Sequence, residues 1–285
     1  MSKPAAQMNR TPLIQRSNKD FFIGLSRAFG GALVFGLPLL MTMEMWSMGS
    51  TAEEGRLALL FLMSIPLLVG LSHYAGFEET FCMLDDVVDT FVALAVGFVT
   101  SGGILWMLGV IGPQTAADDL IAKIAIQAVP GSIGALLAAS QFGTKEEEEE
   151  EKQRFTRYDG ELFLMAVGAI FFAFNLAPTD EMLAIAQQMG LAQVLGLLVL
   201  SLAVMHAFVY AVKFSGTPDT PESTPQWSLF LRFTIPGYAI ALLMSLYILW
   251  TFGRMDGASL QTGLATTVVL AFPAAIGAAA ARLVI

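Results

Sequence analysis

The chain has 285 residues, 55% of them hydrophobic and 14% charged, with a mean hydropathy of +0.66 and a net charge of −9. Soluble domains carry about 25% charged residues, so this chain lacks the charge to coat a water-facing surface and reads as a polytopic membrane protein. The balance excludes a disordered chain and a nucleic-acid binder, and the single cysteine, Cys82, excludes an internal disulfide and a cysteine-based zinc cluster.

Residues 1–21 form a polar tail with Lys3, Arg10, Arg16 and Lys19. Apolar runs follow near 22–43, 57–77, 87–111, 120–142, 161–177, 191–213, 228–252 and 260–284. Each reaches or approaches the roughly 20 residues that a spanning helix needs. They are too long for strands, rich in Ala, Leu and Met, and free of period-two alternation. The first run has no small-x-small cleavage site and is read as a retained span. The predicted class is all-α, a polytopic helical membrane protein with eight transmembrane helices. Of the 15 lysines and arginines, only Arg56, Lys123 and Arg254 fall on the side opposite the N-terminus. Cytoplasmic loops gather Lys and Arg, so both termini are expected in the cytoplasm.

The chain also repeats itself. A shift of 137 lays Gly31-Ala-Leu-Val-Phe35 on Gly168-Ala-Ile-Phe-Phe172, Thr42 and Glu44 on Thr179 and Glu181, and Ser64 on Ser201. With small gaps, Ile104-Leu-Trp106 meets Ile248-Leu-Trp250, Gly109 meets Gly253, and Pro130 and Gly134 meet Pro273 and Gly277. Four spans per unit, an even number, give both units one orientation, the parallel kind of repeat. The expected organisation is a tail (1–21), a first four-helix repeat (22–142), an acidic cytoplasmic linker (143–159) and a second repeat (160–285). The linker holds six consecutive glutamates, Glu146 to Glu151. Such a run repels itself and stays solvated.

The segment from Phe35 to Trp46, with its partner from Phe174 to Met182, resembles an uncharacterised family of bacterial integral membrane proteins with eight predicted spans. The resemblance covers most of the chain apart from tail and linker. It implies the eight-span architecture and a bacterial inner-membrane location, and it supplies no functional residues.

Ionisable groups inside a membrane are costly and mark function. Glu44 and Glu181 occupy equivalent positions near the outer ends of the first spans, each two residues after a threonine and each following a proline, Pro38 or Pro178. Pro38 should kink a continuous apolar run and free a carbonyl. Pro178 should end a short span, with a helix from about Thr179 to Met189 capped by Thr179. Interrupted spans at matching positions of two halves point to a transporter site. Glu44, Thr42, Glu181 and Thr179, with the Asn175 amide, are therefore expected to line a shared site for a cation or proton. The competing reading is that both glutamates only favour helix N-termini.

Ser64 and Ser201 either line the axis or return their protons to backbone carbonyls. His73 and His206 are not equivalent and have no matching ligand cluster. Asp85, Asp86 and Asp89 resemble the magnesium-diphosphate motif of prenyl-transferring enzymes and are weak metal candidates. Asp118-Asp119 is the best second motif and lies on the opposite side. Trp106 and Trp250 read as interface anchors. The glycines of the last spans should pack helices closely.

The favoured expectation is a transporter or channel for a cation or small solute, and not an enzyme. The alternatives are a magnesium-dependent membrane enzyme acting on a lipid diphosphate, and a non-catalytic subunit or sensor. No cofactor is expected beyond a bound cation. The expected partners are the lipid bilayer and a cation or proton, with room for a homo-oligomer and none for nucleic acid.

Overall fold

The computed structural model of the chain describes residues 18–75, 83–141, 158–208 and 226–284. The regular structure in these residues is helical. The tail to residue 17, Glu78 and Glu79, the glutamate run and the end of the expected 191–213 span lie outside them.

The first half begins with α1 (Asn18–Leu40), which contains Pro38 in its last turn. A proline inside a helix removes one ladder hydrogen bond and crowds the carbonyl four residues back. The chain leaves the helix soon afterwards. Thr42 is extended (φ −98°, ψ 117°) and precedes a separate short helix, α2 (Met43–Thr51). The expected kink is thus a break: Thr42 and Glu44 belong to the turn and to α2, not to the first span. Then come α3 (Glu54–Ala75), α4 (Met83–Met107) and α5 (Ala117–Gln141).

The second half opens with α6 (Tyr158–Leu176), and Pro178 lies in the turn that follows it. Next is α7 (Glu181–Gln188), with Asp180 and not Thr179 at its N-cap. The Thr179 hydroxyl instead donates to the Leu176 carbonyl at 2.8 Å, which occupies it before it can reach the helix start. After α8 (Leu191–His206), the chain resumes as Gln226–Leu229 and a π-helical turn, Phe230–Thr234. This turn runs into α9 (Ile235–Thr251). Pro236 cannot donate to the Arg232 carbonyl one turn back. The Tyr158 hydroxyl donates to that carbonyl at 2.9 Å and so supplies the missing partner. The last helix is α10 (Leu260–Val284).

Among the described residues, seven helical segments are long and apolar enough to cross a membrane. The remaining candidate, α8, is apolar but has only 16 residues. These 16 residues account for about 24 Å at 1.5 Å per residue, and helical backbone continues through 207–208 to the edge of the described residues.

The last helix of each half is its hub. In the spanning windows of α5 and α10, 61% and 67% of residues are buried, against 28–44% in the other spans. α5 packs on α1, α2, α3 and α4; α10 packs on α6, α7, α8 and α9. Small residues allow these approaches. A Cβ on Gly31 would collide with the Gly134 carbonyl and the Ala138 side chain. A Cβ on Gly168 would collide with the Gly277 carbonyl, and Ala281 is close behind it. Membrane helices lack a hydrophobic force between them and associate through such contacts.

One apolar cluster joins the halves, containing Leu60, Leu68 and Ile133 from the first and Leu164, Phe174 and Ile248 from the second. Large apolar side chains including Val34, Val99, Val199 and Leu243 remain exposed along the spans. In water they would form a liability; in lipid they face their own solvent.

Candidate functional site

The end of the bundle that carries α2 and α7 holds a concentration of charge. The three cations there are all engaged. The Arg56 Nη1 donates to both oxygens of Asp256 at 3.0 Å and to the Trp250 carbonyl at 2.8 Å, while its Nε pairs with Glu53 at 2.9 Å. Its guanidinium carbon lies 5.1 Å from the centre of the Trp250 ring. Lys123 donates to Asp119 at 2.7 Å, and Ser50 donates to the same carboxylate. Arg254 pairs with Asp180. Four carboxylates remain without a cationic partner among the described residues: Glu44, Glu54, Asp118 and Glu181. This end therefore carries excess negative charge.

A cavity of about 520 Å³ opens at this end, between α2, α3, α4 and α5. Glu54 and Asp118, both exposed, and Asp119 stand at its polar rim. Deeper in, the walls are Leu57, Phe61, Phe98, Ala125 and Val129. The Phe61 and Phe98 rings meet edge to face, 5.7 Å between centroids. Gly49 lets α2 cover the site: a Cβ there would stand 2.8 Å from the Lys123 backbone.

A second cavity, of about 430 Å³, lies between the halves. Ser64 and Leu67 of α3, Phe163 and Phe174 of α6, and Met244 and Tyr247 of α9 line it. Leu60 and Val129 line both cavities. These two side chains therefore stand between them.

The residues singled out by sequence separate into groups. Glu44 is half-buried in the first turn of α2, and Glu181 is exposed in the first turn of α7. α2 packs on α5 and α7 on α10, so opposite halves carry the two carboxylates, and neither lines the two cavities. The neutral groups bond to their own backbones. Thr42 donates to Pro38 at 2.6 Å, Asn175 to Phe171 at 2.8 Å, Ser64 to Phe61 at 2.7 Å and Ser201 to Leu197 at 2.7 Å. Of this set, Ser64 faces a cavity.

At the opposite end, Asp86 is 4% exposed and stands 3.3 Å from His73 Nδ1, while Asp85 is exposed. Among the described residues, no group of three or more His, Cys, Asp or Glu side chains is placed to hold a metal ion. His206 Nδ1 is 2.8 Å from the Thr234 hydroxyl in the π-helical turn, which ties α8 to that segment.

Sequence reasoning passed over Glu54 and used Asp118-Asp119 only as a possible second motif. Acids in the first turn of a helix are common because they favour its positive end, and Glu54 and Asp118 both sit in such turns. Nothing in local sequence separates a rim carboxylate from a helix-start carboxylate; the space behind it does.

No curated protein and no solved structure matches the chain. The model of the family described as "Putative integral membrane protein (DUF2391)" matches residues 24–285, and the chain belongs to that family.

Proposed function

We propose that this integral membrane protein is a transporter or channel for a cation or small solute, built from two four-helix repeats of one orientation. The repeat reading draws support from paired details. Gly31 crosses Gly134 as Gly168 crosses Gly277. Gly109 and Gly253 both have φ near +70°, a conformation that favours glycine. A short helix follows the first span of each half. In this reading α8 is the sixth of eight spans, its apolar sequence continuing past His206. Both termini and the acidic linker are cytoplasmic, and the α2/α7 end faces outward.

The observation that carries the transport reading is the pair of adjoining cavities. One starts at a carboxylate rim on the acidic end, and the other lies between the halves, with Leu60 and Val129 common to both. Fields from fixed charges concentrate counter-ions at such a mouth. Glu44 and Glu181 act in this reading at longer range, by adding to the potential of that end. Repacking of Leu60 and Val129 is the step that joins the two spaces.

Flux in proteoliposomes tests it. With sodium-22 and, in parallel, a radiolabelled quaternary ammonium under an inside-negative potential, the chain should exceed empty liposomes for at least one of the two, and Glu54→Gln with Asp118→Asn should lower that uptake about tenfold. Glu44→Gln with Glu181→Gln should lower it less, by an amount that shrinks as salt screens the field. Uptake equal to empty liposomes, or indifferent to all four carboxylates, overturns the reading.

A further inference from the structure

The two halves share a frame but differ at one place. The alignment that pairs Gly31 with Gly168 and Gly134 with Gly277 also pairs the rim residues Glu54, Asp118 and Asp119 with Leu191, Gln261 and Thr262. No carboxylate stands at any of the three in the second half. The small wall residues Ala52 and Ala125 meet Met189 and Val268, both larger; Ala58 meets Leu195, which is exposed. The corresponding space is packed: Ala186, Ala265 and Val269 form a buried cluster with Met189, Val194 and Leu197 against it. One frame thus carries an acid-rimmed cavity in its first copy and a filled apolar cluster in its second.

A bare metal ion has no use for the walls of the first-half cavity. Small hard cations want several oxygen ligands at about 2.0–2.6 Å, and here the carboxylates stand at the rim while the depth is hydrocarbon and two phenyl rings. An anion would meet uncompensated negative charge. A neutral apolar molecule would leave Glu54 and Asp118 without a partner. A cation with an apolar body satisfies both regions. Its charge sits near Glu54 and Asp118, and its hydrocarbon lies against Leu57, Val129 and the Phe61–Phe98 pair, which also offers ring contact to an aromatic body. A volume of about 520 Å³ is within the range of small-molecule sites, roughly 300–1,000 Å³.

We infer that the first-half cavity is a binding site for an amphiphilic organic cation, a substituted ammonium with an apolar body. The inference deepens the transport reading, whose solute it narrows to this class and on which it rests for the role of the cavity. The second half keeps the frame, and its filled counterpart braces α7 against α8 and α10.

Equilibrium binding to the full chain in nanodiscs, measured against empty nanodiscs, tests it with three probes. Benzyltrimethylammonium carries charge and an apolar body, tetramethylammonium the charge alone, and benzyl alcohol the apolar body alone. The first should bind about tenfold more tightly than either of the others, by burial of its apolar body against tetramethylammonium and by its charge against benzyl alcohol. Glu54→Gln with Asp118→Asn should remove that preference over benzyl alcohol. Ala58→Leu with Ala125→Val, which moves the wall towards its second-half counterpart, should abolish binding. Should that variant misfold, Phe98→Leu keeps the wall apolar and should weaken the aromatic cation several-fold through loss of ring–ring contact, while leaving tetramethylammonium unchanged. Equal affinity for tetramethylammonium, equal affinity for benzyl alcohol, or no binding of any probe each overturns the inference. Binding of the aromatic cation without flux would sink the transport reading alone; sodium flux without that binding would sink this inference alone.

Discussion

Gly134 and Gly277 show how much one methyl group decides in this protein. A Cβ on Gly134 would stand 2.5 Å from the Phe35 Cβ and 2.6 Å from the Gly31 carbonyl. A Cβ on Gly277 would meet the Gly168 carbonyl and the Phe172 ring at 2.5 Å. The clash at each site involves backbone, which cannot swing away as a side-chain tip can. Gly134→Ala and Gly277→Ala should each destabilise the protein by about 1–3 kcal/mol, the usual cost of overpacking. Thermal unfolding in detergent should show a lower midpoint for both, whereas Gly103→Ala, with open space around its Cβ, should leave the midpoint unchanged. These paired glycines were legible in sequence, because the match Pro-x-x-Ile-Gly-Ala falls in both last spans. Their partners were not, since nothing local names the residue across a helix crossing.

At the scale of elements, the loop after α9 is tied to the start of α3 by Arg56. Its fork reaches the Asp256 carboxylate, the Trp250 carbonyl and the face of the Trp250 ring, a set that suits a planar guanidinium and not an ammonium. Asp256 is largely exposed, so solvent screens much of the ion pair. What remains is the bond to the carbonyl and the contact with the Trp250 ring. Arg56→Ala should therefore cost about 1 kcal/mol, and Arg56→Lys should recover less than half of it. Thermal unfolding of the two variants at low and high salt checks both the size and the small salt dependence. Trp250 was read from sequence as an interface anchor. Its second job, as a platform for a cation of the other half, depends on a contact across 194 positions of chain. The helix breaks follow the same division. Pro38 and Pro178 marked their places in sequence, yet only the packing shows that α2 rests on α5 and α7 on α10, so that different hub helices carry Glu44 and Glu181.

At the scale of the whole molecule, each half has a hub helix, and one apolar cluster continues from one half into the other through Leu60, Leu164, Phe174 and Ile248. Edge-to-face contact between Phe35 and Phe171, 5.1 Å between centroids, adds to the seam. The halves are therefore not independent domains. Cutting the chain in the acidic linker and co-expressing residues 1–147 and 148–285 should still give a complex that co-purifies in detergent. Each half alone should unfold at a lower temperature than the complex, because its share of that cluster is uncovered. Halves that purify separately would contradict the shared core.

Local sequence makes the chain helical, apolar and membrane-spanning and marks its long helices, but not α2, whose start it merges with the first span. That information is local: a bilayer demands long apolar runs with their backbone hydrogen bonds closed inside one segment. The repeated glycines, prolines and tryptophans were local too. Tertiary structure alone decided which carboxylates border a cavity. Glu44 and Glu181 met every sequence criterion of position and pairing, yet Glu54, Asp118 and Asp119 are the acids at the rim. The reason is physical: a cavity is the space left by side chains on several helices, and Ala52, Ala58 and Ala125 leave space only because α2, α3 and α5 bring them around the same volume.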